Sequence, residues 1–444
     1  MLSSSANSYA SGAATGLEVR PFRALTYRQR DPDHLARVSS PAYDLVTPAG
    51  RNRLADADPY NIVRLILPQV DVAAAESERA PGGDGALRSA QQAAVSLRAW
   101  EADGVLDRDG EPALWLYELR PPGGAAPTTG WLGAVALPPP GSAAVLPHED
   151  TYAPAVEGRR ALLAATRTDL EPIVLAHDPE PMVAELTHAA LRGVPALEVE
   201  DSDGVRHRLW RVTDPKKLAP LTAALKRTGA VIADGHHRFA AATAHARTQP
   251  RASGANAVLA LVTPMGPGGL RVDPIHRVVP ELPLETALTA AAPGFHLTEL
   301  LAGSDPAALE AAVRRWLDYP DESGFLVTDG SRLVRLTDPS REVRATVPPE
   351  APEAWRRLDV VLAHHGLLGH LWNRTDDPDA VLIAHNVGEA LATARDRAGV
   401  ALLLRAPSPA DVAAVARAGA RMPRKSTLFV PKPRTGLVLR PLDD

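Results

Sequence analysis

The chain has 444 residues and a net charge of -5, with 45% hydrophobic and 23% charged residues, so we expect a globular protein of two or three domains. This acidity disfavours a general binder of nucleic acid or of acidic membranes, which is usually basic. The chain contains no cysteine, which excludes disulfides, thiolate catalysis and cysteine-containing zinc sites.

The N-terminal residues 1–16 have neither the basic start nor the apolar core of a secretory signal, and they are predicted to form a disordered tail. No apolar run approaches the roughly 18 residues that cross a membrane. We therefore expect a cytoplasmic protein without a membrane partner.

From residue 17 to the middle of the chain, apolar runs alternate with helical patterns, which is typical of a mixed α/β fold. The predicted strands are Leu17–Tyr27, Asn61–Leu67, Ala113–Glu118, Trp131–Leu137, Glu171–Ala176, His207–Val212 and Ala230–Ala233. The predicted helices are Ala86–Asp103, Gly158–Thr166, Pro179–Leu191 and Lys216–Lys226.

The remaining chain continues the same alternation. Strands are predicted at Asn256–Thr263, Phe325–Val327, Ala401–Leu404 and Thr427–Val430, and helices at Ala307–Leu317, Ala354–Trp372 and Gly388–Asp396. Ser408 is a predicted N-cap, followed by proline at the first helical position, and Gly419 is predicted to end that helix.

The strongest chemical signal is the segment AVIADGHHRFAAATAHAR, residues 230–247. Its apolar start predicts a buried strand, and Asp234 and Gly235 are turn formers that end it. The alanine-rich stretch from His237 onward predicts a helix. An acid, a glycine, two histidines and an arginine therefore lie at a helix N-terminus.

This position suits an anion, because the first N–H groups of a helix lack intrahelical partners and the helix dipole is positive there. Arg238 adds a bidentate fork, and Gly235 lets a phosphate approach the backbone. Asp234 is a candidate ligand for a divalent cation, and His236 and His237 exchange protons near neutral pH. Taken singly, Asp234 is also explained as an N-cap and Arg238 as a solvated residue.

Three other places carry candidate site residues. Glu149 follows an apolar pair, a proline and a histidine, and it is either a base or a surface carboxylate. His276 and Arg277 either join the anion site or form a solvated pair at a strand end. Lys425 and Ser426 lie in a basic run that lacks the glycine of a phosphate-binding loop at the required position, so contact with phosphate there is left open.

Seven segments give the chain a resemblance to a known family. They are PFRAL (21–25), SPAYD (40–44), NIVRLILP (61–68), PHEDTY (147–152), IADGHHRF (232–239), HR (276–277) and MPRKSTLFVPKPRTGLV (422–438). On these motifs the chain resembles the bacterial and archaeal family called domain of unknown function 1015. Ala42 departs from the pattern, which has a second proline there.

The order of Glu149, a helix, a PIV-type strand and DGHHR is also similar to that of free serine kinases, which belong to the ParB and sulfiredoxin-like superfamily. In those kinases a glutamate accepts the proton of the substrate hydroxyl, and the DGHHR-like turn holds the nucleotide phosphates. The resemblance thus implies a base at Glu149 and a metal- or substrate-facing acid at Asp234. It implies a phosphate cradle at Gly235, His236, His237 and Arg238.

The predicted fold is α+β (mixed α/β), with a ParB/sulfiredoxin-like core and flanking α/β parts. The predicted boundaries are a tail at 1–16, an N-terminal part at 17–140, the core at 141–285 and a C-terminal part at 286–444.

We expect a nucleotide-dependent kinase that uses ATP or ADP with Mg²⁺ and phosphorylates a small hydroxyl compound such as free serine or a serine-like metabolite. The predicted catalytic residues are Glu149, Asp234 and His237, with Asp234 also the metal ligand. The predicted phosphate-binding residues are Gly235, His236, Arg238, His276, Arg277, Lys425 and Ser426.

A non-catalytic, ParB-like nucleotide-binding switch is the alternative. A histidine-based metal hydrolase is disfavoured, because adjacent histidines such as His236 and His237 do not share a helix face. The expected partners are a nucleotide and a small-molecule substrate, nucleic acid is disfavoured, and a homodimer is left open.

Overall fold

The computed structural model describes residues 16–69, 84–249, 254–266, 268–303, 305–319, 324–375, 377 and 379–443. Its contacts divide the chain into two compact units. Unit 1 consists of residues 1–147, 151–270 and 431–444, and unit 2 consists of residues 148–150 and 271–430. The domain boundaries predicted from the sequence stay a prediction, and the predicted tail lies outside the described residues except for Gly16.

Unit 1 contains a large sheet covered by helices. Its strands are β1 (Val19–Arg20), β2 (Leu25–Tyr27), β3 (Leu106–Arg108), β4 (Leu114–Arg120), β5 (Thr128–Ala136), β6 (Val145–Leu146), β7 (Thr168–Asp169), β8 (Ile173–His177), β9 (Leu197–Glu200), β10 (Arg206–Val212), β11 (Ala230–Asp234) and β12 (Ala257–Pro264). Its helices are α1 (Pro32–Val38), α2 (Pro48–Ala57), α3 (Val63–Ile66), α4 (Asp84–Ala102), α5 (Ala153–Thr166), α6 (Pro181–Leu191), α7 (Pro215–Leu225) and α8 (His236–Thr248), with a 3₁₀ turn at Tyr43–Leu45.

The nine-stranded sheet of unit 1 has the order β6-β11-β8-β12-β5-β4-β10-β9, with β1 also paired to β5. The pairs β11–β6 and β12–β8 are parallel, whereas β11 and β8 are antiparallel. Side chains alternate between the two faces of a strand. In β4, Trp115 and Tyr117 therefore join one buried cluster with Leu97 of α4, while Leu114 and Leu116 join another with Leu221 of α7.

Residues 431–443 of unit 1, here called the C-terminal segment, pack onto its N-terminal half. Thr435 bridges to Ser40 and Leu439 to Leu25. A two-residue strand, Arg440–Pro441, pairs with β7. The segment is thereby fixed to unit 1 by backbone hydrogen bonds at three places.

Unit 2 contains a six-stranded antiparallel sheet and a separate two-stranded one. Its strands are β13 (Arg271–Asp273), β14 (His276–Val279), β15 (His296–Ala302), β16 (Phe325–Thr328), β17 (Arg332–Thr337), β18 (Leu382–Ala384), β19 (Val400–Leu403) and β20 (Leu428–Val430). Its helices are α9 (Leu284–Ala291), α10 (Pro306–Asp318), α11 (Arg341–Ala345), α12 (Glu353–Arg356), α13 (Asp359–Leu362), α14 (Val387–Asp396) and α15 (Pro409–Arg417), with a π-helix at Ala363–Leu371.

The larger sheet of unit 2 has the order β15-β17-β16-β19-β14-β18, and β13 pairs with β20. Its core is formed by apolar residues of the central strands together with Leu309, Val313 and Trp316 of α10. The mixed α/β class predicted from the sequence is therefore confirmed. No helix within the described ranges is long and apolar enough to cross a bilayer.

The predicted strand at Asn61–Leu67 is wrong, because this stretch forms the short helix α3. The Asn61 side chain accepts a hydrogen bond from the Val63 amide at 2.9 Å and donates to the carbonyl oxygens of Arg37 and Ser39. Val63, Leu65 and Ile66 are all buried. A short apolar run buried on several sides does not distinguish a strand from a helix by its pattern.

The single helix predicted at Ala354–Trp372 is also wrong. Leu358 has an extended backbone and separates α12 from α13, and the π-helix follows α13 directly. Trp372 at its end donates to the Ala287 carbonyl oxygen at 3.0 Å. The extended backbone at Leu358 therefore divides the segment that the sequence predicts as one helix.

Candidate functional site

The corner between β11 and α8 can be formed only by glycine. Gly235 is the N-cap of the 13-residue helix α8, its φ is 92°, and as a glycine it has no side chain of its own to cap this end. A Cβ atom there would lie 2.8 Å from Cγ2 of Ile173 and 3.1 Å from Nε of Arg238. Positive φ and close approach both select glycine. We call residues 234–238 the Gly235 corner.

The carboxylate of Asp234 lies between two cations. Its Oδ1 accepts a hydrogen bond from Lys432 Nζ at 2.7 Å, and its Oδ2 is bonded to Arg238. Lys432 also forms an ion pair with Asp44. Burial raises the pKa of Asp234, but the charges of Arg238 and Lys432 outweigh this effect and hold that pKa below its usual value. Asp234 is therefore ionised at neutral pH.

The Arg238 guanidinium has further contacts besides Asp234. Its Nη1 donates to the Pro172 carbonyl oxygen at 2.6 Å. Its Cζ lies 5.5 Å from the ring centre of Tyr43, whose ring also faces Arg159 at 3.7 Å. Within the described part of the chain, Arg238 Nε is a buried donor without a hydrogen-bond acceptor.

A buried carboxylate, Glu171, holds the loop that carries Tyr43. Its Oε1 accepts hydrogen bonds from the Tyr43 amide at 3.1 Å and from the Thr435 hydroxyl at 3.0 Å. A cavity of about 50 Å³ is lined by Arg159, Arg238 and Glu171 among others. Arg238 of the Gly235 corner thus lines a small cavity whose wall combines charged side chains with apolar ones such as Leu162 and Val258.

The two histidines of the corner are in different surroundings. His236 is buried, with 6% of its surface exposed. His237 is half-buried, and its Nε2 accepts a hydrogen bond from the Tyr152 amide at 3.0 Å. Since an imidazole nitrogen that accepts is unprotonated, this hydrogen bond places the proton of a neutral His237 on Nδ1.

The predicted base, Glu149, belongs to unit 2, where its Oε1 accepts a hydrogen bond from the Thr427 hydroxyl at 3.0 Å. The same hydroxyl lies 3.0 Å from His148 Nε2. One hydroxyl has a single proton to donate, so with Glu149 ionised the His148 Nε2–H donates to Thr427. A chain of two hydrogen bonds therefore orients the Glu149 carboxylate.

His276 and Arg277 are fully buried in β14, so the alternative of a solvated pair is wrong. Arg277 donates to His364 Nε2 at 3.1 Å and to the Arg424 carbonyl oxygen at 3.0 Å. His276 Nδ1 accepts from the Leu404 amide at 3.3 Å. Burial, aided by the charge of Arg277, lowers the pKa of His276 to about 4. These contacts support the fold of unit 2, and anion binding by the pair stays a prediction.

Lys425 and Ser426 lie in the turn before β20. Lys425 has an exposed side chain and a φ of 50°, and the Ser426 hydroxyl donates to the Pro423 carbonyl oxygen at 2.7 Å. Because Thr427 follows directly, unit 2 brings this turn and Glu149 together. Of the ten predicted site residues, the five of the Gly235 corner are in unit 1 and the other five are in unit 2.

Sequence reasoning did not assign five residues of the Gly235 network. They are Tyr43, Asp44, Arg159, Glu171 and Lys432. Tyr43 and Asp44 lie in the SPAYD motif, and Lys432 lies in the VPKPR stretch of the last motif. The motifs therefore contained three of these five residues, although the chemistry of the single side chains did not assign them to a site.

A metal ion would have Asp234 as its first candidate ligand. In the ranges that the structure describes, no group of three or more His, Asp or Glu side chains is arranged to hold a metal ion. The phosphate oxygens of a bound nucleotide can themselves coordinate Mg²⁺, so that the ion needs fewer ligands from the protein. Metal binding by Asp234 therefore stays a prediction that depends on a bound nucleotide.

Comparison with known proteins gives a family match over most of the chain. The sequence model described as "Protein of unknown function (DUF1015)" matches residues 19–361. The chain belongs to the DUF1015 family. The resemblance predicted from the motifs is thereby confirmed, although the last motif lies beyond the matched residues. No curated protein matches this DUF1015 chain.

Solved structures resemble the DUF1015 chain only distantly. A free serine kinase in complex with AMP is 14% identical, with a TM-score of 0.29, over 65% of this chain and 84% of that one. SbnI from Staphylococcus aureus, truncated at its C-terminus, is 12% identical, with a TM-score of 0.34, over 70% and 87%. A conserved hypothetical protein from Pyrococcus furiosus is 14% identical, with a TM-score of 0.29, over 65% and 87%. We therefore base the function on this chain's own residues.

Proposed function

We propose that this protein is a nucleotide-dependent phosphotransferase that binds the nucleotide phosphates at the Gly235 corner and phosphorylates a small hydroxyl compound. The observation that carries the proposal is the left-handed glycine at the start of α8, beside Arg238. Backbone N–H groups at a helix start and the positive end of its dipole favour a phosphate.

The proposed reaction needs charge neutralisation more than covalent chemistry. The substrate hydroxyl oxygen forms a bond to the terminal phosphorus of ATP or ADP. The bond between that phosphorus and the bridging oxygen breaks, so that ADP or AMP leaves, and a carboxylate accepts the hydroxyl proton. Glu149 is proposed as that carboxylate, because the Thr427 hydroxyl donates to its Oε1 and thereby orients it. When bound, Mg²⁺ would neutralise phosphate charge, with Asp234 as its protein ligand.

The test is a measurement of binding and turnover with purified full-length protein. ATP, ADP and AMP with Mg²⁺ are screened by calorimetry, and phosphorylated products are sought by mass spectrometry with a panel of hydroxy-amino acids that includes serine. We expect one nucleotide to bind, Arg238→Met to weaken that binding, and Glu149→Gln to abolish turnover while binding persists. Absence of nucleotide binding in the parent would refute the proposal.

A non-catalytic nucleotide switch is the second candidate, favoured by the existing ion pairs of the corner. Asp234 is already paired with Arg238 and Lys432, so an incoming phosphate must compete for the same cations. Such competition changes the local structure on binding, which is what a switch requires. Tight nucleotide binding with no product from any hydroxy compound would favour this candidate.

A further inference from the structure

The ammonium group of Lys432 lies at the Gly235 corner, and it can donate one more hydrogen bond than it makes with the described residues. An ammonium carries three N–H donors. In the part of the chain that the structure describes, its acceptors are Asp44 and Asp234. The side chain is 10% exposed. Burial lowers the pKa of Lys432, but the charges of Asp234 and Asp44 outweigh it and raise that pKa, so the group is charged at neutral pH.

The C-terminal segment does not need Lys432 to stay in place. Arg434 Nε donates to the Ser39 hydroxyl at 2.6 Å, and its Nη2 donates to the carbonyl oxygens of Ala36 and Ser39. Arg440 Nη1 forms a buried ion pair with Asp169 at 2.5 Å. With the backbone bridges to β2 and β7, these contacts anchor the segment. The anchoring of the C-terminal segment therefore does not by itself explain why the Lys432 ammonium is buried between two carboxylates.

Charge balance gives Lys432 a specific effect on an anion. Among the described residues, the ion pairs, hydrogen bonds and ring contacts named above join three carboxylates and three cations around the corner, and Lys432 is one of the cations. The carboxylates are Asp44, Glu171 and Asp234, and the cations are Arg159, Arg238 and Lys432. With Lys432 the network is neutral and the helix dipole decides its attraction for anions. Without Lys432 it has one net negative charge, which repels a phosphate.

We propose that Lys432 is a phosphate-binding residue, whose ammonium contacts the polyphosphate of the nucleotide while Asp44 and Asp234 hold it beside Gly235. This inference rests on the proposed function and adds a ligand-contacting residue to it. It places part of the binding site in the C-terminal segment, outside the residues that match the family model. The ligand class is a nucleoside polyphosphate or, as a minimal probe, inorganic tripolyphosphate.

The experiment measures binding of ADP and of tripolyphosphate to four forms of the full-length protein by calorimetry. The forms are the parent, Lys432→Met, Lys432→Arg and the matched control Lys216→Met, which changes an exposed lysine of α7. We expect Lys432→Met to weaken both probes roughly 10- to 100-fold, since a charged partner at hydrogen-bond distance is lost from a partly buried site. Lys432→Arg should recover part of the affinity, and Lys216→Met should bind like the parent.

Two further measurements separate this role from a structural one. Far-UV circular dichroism at the calorimetry temperature checks that each form is folded. If Lys432→Met does not fold, NMR on the parent replaces it. The ammonium resonance of Lys432 should then shift on addition of tripolyphosphate, while that of Lys216 stays in place.

The outcomes distinguish the two proposals. If the parent binds neither probe, the proposed function fails and this inference fails with it. If the parent binds and folded Lys432→Met binds equally well, or the Lys432 resonance does not move, the assignment of Lys432 is wrong while the proposed function stands.

Discussion

Replacement of Gly235 by alanine should destabilise unit 1 and disturb the corner. An L-residue in the left-handed region costs about 1–2 kcal/mol, and φ at Gly235 is 92°. The new methyl carbon would lie 2.8 Å from Cγ2 and 3.0 Å from Cβ of Ile173, atoms close to the backbone of β8 that cannot swing away. Such overpacking costs about 1–3 kcal/mol. The expected loss in the free energy of unfolding is therefore about 2–5 kcal/mol.

Hydrogen exchange followed by mass spectrometry suits this measurement, because peptides from unit 1 and unit 2 are observed separately in one sample. Peptides of β11 and α8 should lose protection, and those of unit 2 serve as an internal reference. Gly158→Ala is the matched control, since Gly158 lies inside α5 with no atom within 4 Å of the added methyl position. That change should stabilise the helix by about 0.5–1 kcal/mol.

A double-mutant cycle separates the two parts of the penalty. Ile173→Ala removes Cγ2, so the steric part should be smaller in Gly235→Ala/Ile173→Ala than in the single mutant, whereas the backbone part remains. A Gly235→Ala protein with unchanged protection in β11 and α8 would refute this reasoning. Equal effects of Gly235→Ala and Gly158→Ala would refute it as well.

Three further predictions concern other parts of the chain. Because the pKa of His276 is lowered to about 4 from 6.5, the unfolded chain takes up a proton that the folded chain does not, and stability falls as the pH drops from 6.5 towards 4. Between pH 7.5 and 5.0 this group should contribute a loss of about 2 kcal/mol in urea titrations, which His276→Asn should remove; an unchanged pH dependence would contradict it. Arg440→Met should cost about 3–5 kcal/mol, since it leaves the Asp169 carboxylate buried without its cation; a melting temperature equal to that of the parent would count against it. Ser408→Ala should cost about 1 kcal/mol by removing the N-cap of α15, measured as lost exchange protection there, and full protection would exclude this capping role.

The long elements and the Gly235 corner could be predicted because their signals are local. Apolar runs with β-branched residues identified β11 and β12, and Asp234-Gly235 followed by an alanine-rich stretch identified the start of α8. The helix α15 could likewise be predicted, from Ser408 as its N-cap and from Gly419 shortly after its end. In each case the residues that decide the structure lie within a few positions of one another.

The partners of the site residues could not be predicted in this way. Lys432 and Asp234 are 198 positions apart, and Thr427 and Glu149 are 278 positions apart. A single sequence carries no local pattern for such pairs. The same reasoning explains the wrong strand at Asn61–Leu67, where contacts of Asn61 with residues more than 20 positions earlier decide for a helix.

Unit 1 is formed by residues that lie before and after unit 2 in the chain, which has a consequence for its folding during synthesis on the ribosome. Residues 271–430 must be synthesised before the C-terminal segment emerges. Until then Asp169 lacks the cation of Arg440, and Asp234 has Arg238 but not Lys432, so the N-terminal portion lacks two of the cations that its carboxylates pair with. Unit 2 is contiguous apart from residues 148–150 and has no such delay. We expect it to gain protease resistance while unit 1 is still waiting for its last residues.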